Sequence, residues 1–75
     1  MGITEARKHA AALSASGATR YVIFAGIVPG FSSENPGSAR NEYMVVDEES
    51  MNAPSFRSQI EDEDIFAVYR NGREY

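Results

Sequence analysis

Residues 21 to 31 read YVIFAGIVPGF, and from Tyr21 to Val28 every residue is apolar, aromatic or glycine. A strand with one wet face alternates apolar and polar residues, because its side chains point to opposite sides with a period of two. This run does not alternate, so it has no side suited to water. Pro29-Gly30 ends it, and Phe31 follows in what reads as a loop. A chain of 75 residues must therefore cover this strand on both faces with little material.

The rest of the chain supplies few covers. Residues 3 to about 16, ITEARKHAAALSAS, carry Ile3, Ala6, Ala10 and Leu13 at spacings of three and four, which predicts one helix with one apolar face. Thr4 is the expected N-cap, Glu5 suits the first turn, and Gly17 can take the left-handed conformation past the end. Two of the four face residues are alanine, so the helix can lie close to a sheet but buries little area. Strands are predicted at 20 to 28, at 40 to 47 and at 64 to 70. The connection 30 to 39, GFSSENPGSA, is long for a hairpin. EESMNAPS reads as a turn or one helical turn broken at Pro54, residues 56 to 60 are ambiguous, with extended chain leading into the next strand as one reading, and EDED reads as exposed. Asn71-Gly72 is a strong signal for a tight type I′ turn, with at most a stub of strand after it. The expected fold is α+β: residues 1 to 75 as one small domain, with an N-terminal helix packed on a three-stranded antiparallel meander in two layers.

Strict alternation would put Tyr21, Ile23, Ala25 and Ile27 on one face of the first strand and Val22, Phe24, Gly26 and Val28 on the other. Every predicted strand then has apolar residues on both faces, while one helix shields one face. Soluble monomers seldom expose apolar patches above a few hundred Å². Three covers are open: the chain's own loops folding back with Phe31 and Phe56 as plugs, a second copy in a homodimer, or a foreign protein. A core of this size gives about 3 to 5 kcal/mol of net stability, which makes added burial valuable.

Composition narrows the function. There is no cysteine, which excludes disulfides and thiolate zinc sites, and one histidine, His9, which excludes multi-histidine metal sites. No window approaches the roughly 18 apolar residues of a membrane span, and no secretory signal pattern opens the chain; the expectation is a cytoplasmic protein. Net charge is −4, and residues 41 to 64 hold eight acids against the single base Arg57. Nucleic-acid binding relies on clustered lysine and arginine, so no direct nucleic-acid partner is expected. The acidic run serves solubility or meets a basic surface on another protein.

Catalytic chemistry finds no set of groups. His9 falls off the apolar helical stripe, no GxSxG elbow is present, and the glycines of PGFSSENPG match no phosphate-binding spacing. The carboxylates cluster in runs that usually sit in water, and EDED lacks the glycine and spacing of a calcium loop. No cofactor, metal or enzymatic activity is expected. The residues expected to meet a partner are Phe24, Phe31, Phe56, Glu48, Glu49, Glu61, Asp62, Glu63 and Asp64.

The succession TRYVIF, EYMVVDEESM and IFAVYRNG, over residues 4 to 72, resembles that of small accessory proteins of phages and other mobile elements. The long PGFSSENPGSA loop departs from their compact pattern. The resemblance implies no catalytic residue. It implies action by binding, as phage-encoded inhibitors of host defence systems act, anti-CRISPR proteins among them. The expected function is thus a non-enzymatic interaction module that binds and inhibits a host protein; the alternative is a small homo-oligomeric assembly protein.

Overall fold

In the computed structural model, which describes residues 1–29 and 39–75, one helix lies on the front of an antiparallel sheet and a helical crossover lies on its back. The helix α1 spans Ile3–Ser14, and the long strands β1 and β2 span Arg20–Pro29 and Ala39–Asp47. Two short helices follow, α2 at Glu48–Asn52 and α3 at Pro54–Arg57, then a 3₁₀ turn at Asp62–Asp64. The strands β3, Ile65–Arg70, and β4, Arg73–Glu74, complete the fold.

The α+β class is as the sequence predicts, but the sheet has four strands in the order β2-β1-β3-β4. It is not a three-strand meander. Strand β1 is central, pairing with β2 on one flank and with β3 on the other. Both neighbours are antiparallel to β1, so they run parallel to each other and need a crossover. Residues 48–64 make it. A tight hairpin would have kept β3 beside β2; this longer connection carries it across the back of β1 to the far edge.

Local chemistry builds that crossover. Asp47 is the N-cap of α2, accepting from the Ser50 N–H at 2.8 Å. Pro54 sits at the first turn of α3, where its missing N–H costs nothing, so it starts a helix rather than only ending one. Residues 56 to 60 are accordingly helix end and turn, not extended chain, held by bonds such as Ser58 N–H to the Pro54 carbonyl at 3.0 Å. The Arg57 guanidinium ties the segment down, donating to the Ile60 carbonyl and pairing with Asp62.

Two clusters form the core, one on each face of β1. In front, Ala6 and Ala10 of α1 meet Val22, Ala67 and Tyr69. Behind, Ile23 packs with Met51 and Ile60 of the crossover, flanked by Met44, Phe56 and Ile65. The helix-free face, for which three covers were open, is packed behind Ile23. Of the three covers, the chain's own connecting segment does this, with Phe56 among its half-buried members.

The helix differs in detail from the prediction. Gly2, not Thr4, is the N-cap, and α1 ends at Ser14 rather than near 16. Its buried face is Ala6, Ala10 and Ser14, while Leu13 is exposed. Serine is tolerated there because its hydroxyl is used twice: Oγ donates to the Ala11 carbonyl at 3.1 Å and accepts from the Gly72 N–H at 3.0 Å. That second bond pins the β3–β4 turn to the helix. Asn71 and Gly72 both have positive φ, 53° and 78°, as the predicted type I′ turn requires. Arg7 adds a further tie, its Nε donating to the Tyr69 hydroxyl at 2.9 Å.

Candidate functional site: the open end of the central strand

The length of the helix decides what stays uncovered. Twelve residues of α-helix reach about 18 Å, and ten residues of strand about 33 Å. The α1 C-terminus is anchored beside the β3–β4 turn, at the Arg20 end of β1. Its N-terminus reaches Tyr43, where the Met1 amino group donates to the Tyr43 carbonyl at 3.2 Å and pairs with Glu42. Beyond that point the front of the sheet has no helix on it among the described residues.

Two bulges concentrate apolar side chains there. In β1 the pairing runs Phe24↔Tyr43 and then Gly26↔Glu42, leaving Ala25 as an extra residue. Gly26 takes φ +117°, a conformation that a side chain would strain. The extra residue reverses the parity of the strand. Ile27, opposite Asn41, thus shares the face of Phe24 and Tyr43, contrary to the strict alternation read from the sequence. In β3 the register jumps between Val22↔Ala67 and Ile23↔Ile65, leaving Phe66 as the extra residue. Its ring meets Tyr43 edge-on at 5.6 Å, and Tyr43 meets Phe24 likewise at 5.7 Å. The result is an aromatic row, Phe24–Tyr43–Phe66, that remains partly wet. Phe66 is 51% exposed and the adjoining Ile27 67% exposed.

The backbone is open at the same place. Strand β1 pairs with β3 only from Arg20 to Ile23, while its pairing with β2 continues to Pro29. From Phe24 to Val28, about 16 Å of strand, the flank away from β2 has no backbone partner among the described residues. Behind this edge lies a groove of about 500 Å³, lined by Ile23, Gly26, Met44, Phe56, Ile60 and Asp64 among others. An open strand edge, apolar side chains in front and a groove behind meet at one end of the molecule.

The acidic residues divide around β1. Glu48 and Glu49 are exposed in the first turn of α2, just past Asp47, which is opposite Arg20. Glu61, Asp62 and Glu63 are exposed, and Asp64 is half-buried, just before Ile65, which is opposite Ile23. The two runs thus leave from opposite flanks of β1, separated by about 10 Å along it and about 9.5 Å across it. They do not form one patch. Only the second run borders the open edge. There Asp64 and Glu61 cap the 3₁₀ turn reciprocally, each carboxylate accepting from the other's backbone N–H.

Of the residues predicted to meet a partner, Phe24, Asp64 and Phe56 come together at this end, with Glu61, Asp62 and Glu63 on its rim. Phe56 acts chiefly as core on the back face. Glu48 and Glu49 stand apart, and Phe31 lies outside the described residues. Sequence reasoning passed over Ile27 and Phe66, whose positions depend on the two bulges.

Among the described residues no group of three His, Asp or Glu side chains is placed to hold a metal ion, and no buried side-chain polar atom lacks a hydrogen-bond partner. His9 is exposed on the outer side of α1. No described helix is long and apolar enough to cross a membrane. Compared with known proteins, the chain matches no family model, no curated protein and no solved structure.

Proposed function

We propose that this chain is a non-enzymatic protein-interaction module that docks the open end of its sheet onto another, larger protein. The observation that carries the reading is the coincidence of exposed Ile27 and Phe66 and half-buried Phe24 with a strand edge that no described residue pairs. Aromatic side chains that are apolar and half-wet contribute most of the energy in many protein interfaces. The two faces of β1 up to Ile23 are packed, in front by α1 and behind by the crossover, which favours docking at this end. The sequence resemblance to accessory proteins of mobile elements extends the proposal: the target is a host protein, such as a defence component, inhibited by being covered.

Photo-crosslinking tests this. A photoreactive residue is placed at Ile27, at Phe66 or at His9 on the far side of α1, and the protein is exposed to extract of its native host. One larger protein is expected to crosslink from positions 27 and 66 and not from 9. The variant with Ile27→Ser and Phe66→Ser, shown by circular dichroism to keep its fold, should no longer capture that protein. Equal crosslinking from all three positions, or full capture by the double variant, refutes the reading.

A further inference from the structure

Resting on the reading of the chain as a binding module, we infer that its ligand is an extended, basic peptide segment that adds as a strand to the Phe24–Val28 edge of β1. Strand addition needs unpaired backbone groups on one flank and places for alternate side chains on the two faces. Both are present. Among the described residues the edge is open over about five residues, enough for two or three outward-facing backbone pairs. An added strand would send one set of side chains forward onto Phe24, Ile27 and Phe66 and the other set back over the groove.

Charge selects the ligand. The back groove has an apolar floor, Met44, Phe56 and Ile60, and Asp64 also lines it. The turn that closes its inner end reads Glu61-Asp62-Glu63-Asp64, and among the described residues Arg57 is the one base paired with it, through Asp62. A lysine or arginine side chain matches this: its alkyl stem covers the apolar floor while its charge reaches the carboxylates. The forward positions call for apolar side chains. The ligand is therefore a segment alternating basic and apolar residues.

The same charge discriminates against the obvious competitor, a second copy of the chain. Pairing two β1 edges would bring together two molecules of net charge −4, each with an acidic turn at the rim. Charged residues beside an edge are a common device against self-pairing. Pro29, at the outer end of the edge, adds to it by offering no N–H. A basic strand turns this repulsion into attraction.

The test uses a capped heptapeptide of alternating lysine and valine, titrated into the isotope-labelled full chain. Amide resonances of residues 24 to 28 are expected to shift and their hydrogen exchange to slow. Affinity should fall severalfold between about 50 mM and about 500 mM salt. Replacing Glu61→Gln and Glu63→Gln, where glutamine keeps the oxygen that caps the turn, should weaken binding about fivefold. A peptide with glutamate for lysine, and one N-methylated at the alternate amides that face the edge, should each bind at least about tenfold more weakly. The inference is overturned by equal binding of either control peptide, by shifts confined to other residues, or by no shift with peptide in excess. It is also overturned if sedimentation shows a dimer whose 24–28 amides are already protected. If the peptide fails while capture of the larger protein still depends on Ile27 and Phe66, the ligand class is wrong and the docking end stands.

Discussion

Replacing Ile60→Ala isolates the crossover that closes the back of the sheet. Ile60 is 8% exposed and packs with Ile23 and Met51. The substitution removes three carbon atoms, which at about 0.8 kcal/mol per buried CH₂ is about 2.4 kcal/mol. The site borders the groove, so its neighbours can relax into the gap, and a total near the low end of the usual range of about 2 to 5 kcal/mol follows. A domain of this size has about 3 to 5 kcal/mol to lose. With a urea dependence of about 1 kcal/mol per M, the unfolding midpoint should fall by about 2 M. Far-UV circular dichroism reads this directly and needs no tryptophan, which the chain lacks. Val22→Ala, on the front cluster, removes two carbons and should cost about 1.6 kcal/mol. Both variants should unfold in a single transition, because Val22 and Ile23 are successive residues of one strand. A midpoint shift below about 0.5 M for Ile60→Ala would refute the reasoning. The back face would then be poorly sealed by residues 48–64, and a partner would again be needed to cover it.

Two further outcomes follow from hydrogen bonds. Ser14→Ala leaves the part-buried Gly72 N–H without its acceptor and should cost about 1 to 3 kcal/mol, with faster hydrogen exchange at the Gly72 amide than in the parent; unchanged exchange there would show that the turn is held otherwise. Asp47 has its pKa lowered from the ordinary 3.8 by the Ser50 hydroxyl, then by the Ser50 N–H and the Arg20 charge. A depressed carboxylate contributes stability that is present above its unfolded pKa and is lost as pH falls through its folded one. Stability should therefore drop below about pH 4, and Asp47→Asn, which keeps an oxygen for the Ser50 N–H but does not titrate, should flatten that limb of a pH series of urea melts.

What the sequence showed depended on how local the determining interaction is. The Asn71-Gly72 turn was legible because its two positive φ angles are set by two adjacent residues. The three long strands and α1 were legible for the same reason. The crossover was legible in part: Asp47 ends β2 as the sequence predicts, and one helical turn over EESMNAPS is among its readings, but the acid followed by Glu48, Glu49 and Ser50 also marks a helix start with Asp47 as its cap. Pro54 breaks α2 but stands equally well at a first helical turn, and its residue type does not separate the two roles. The strand order could not be read at all, since nothing in β3 itself states which edge it will join.

The candidate site was half legible, and one physical cause accounts for both missed residues. A β-bulge is set by two strands in register; Gly26 inside the apolar run is a hint of the first, while nothing in β3 alone marks the second. Alternation assigned Ile27 to the face of Ile23 and Phe66 to the face of Val68, which would have put both behind the sheet. Each bulge inserts one residue, and each shift carries an apolar side chain to the front. The first shift lies just past the reach of α1 and the second beside it, and both leave their side chains exposed, at Ile27 and Phe66. The unbroken run from Tyr21 to Val28 thus has two explanations along its length. Up to Ile23 it is apolar because α1 and the crossover bury both of its faces. From Phe24 onward it is apolar although, among the described residues, only β2 pairs with it. Folding of the described core gives no reason for the second half to avoid polar residues, whereas a strand that receives another strand has one.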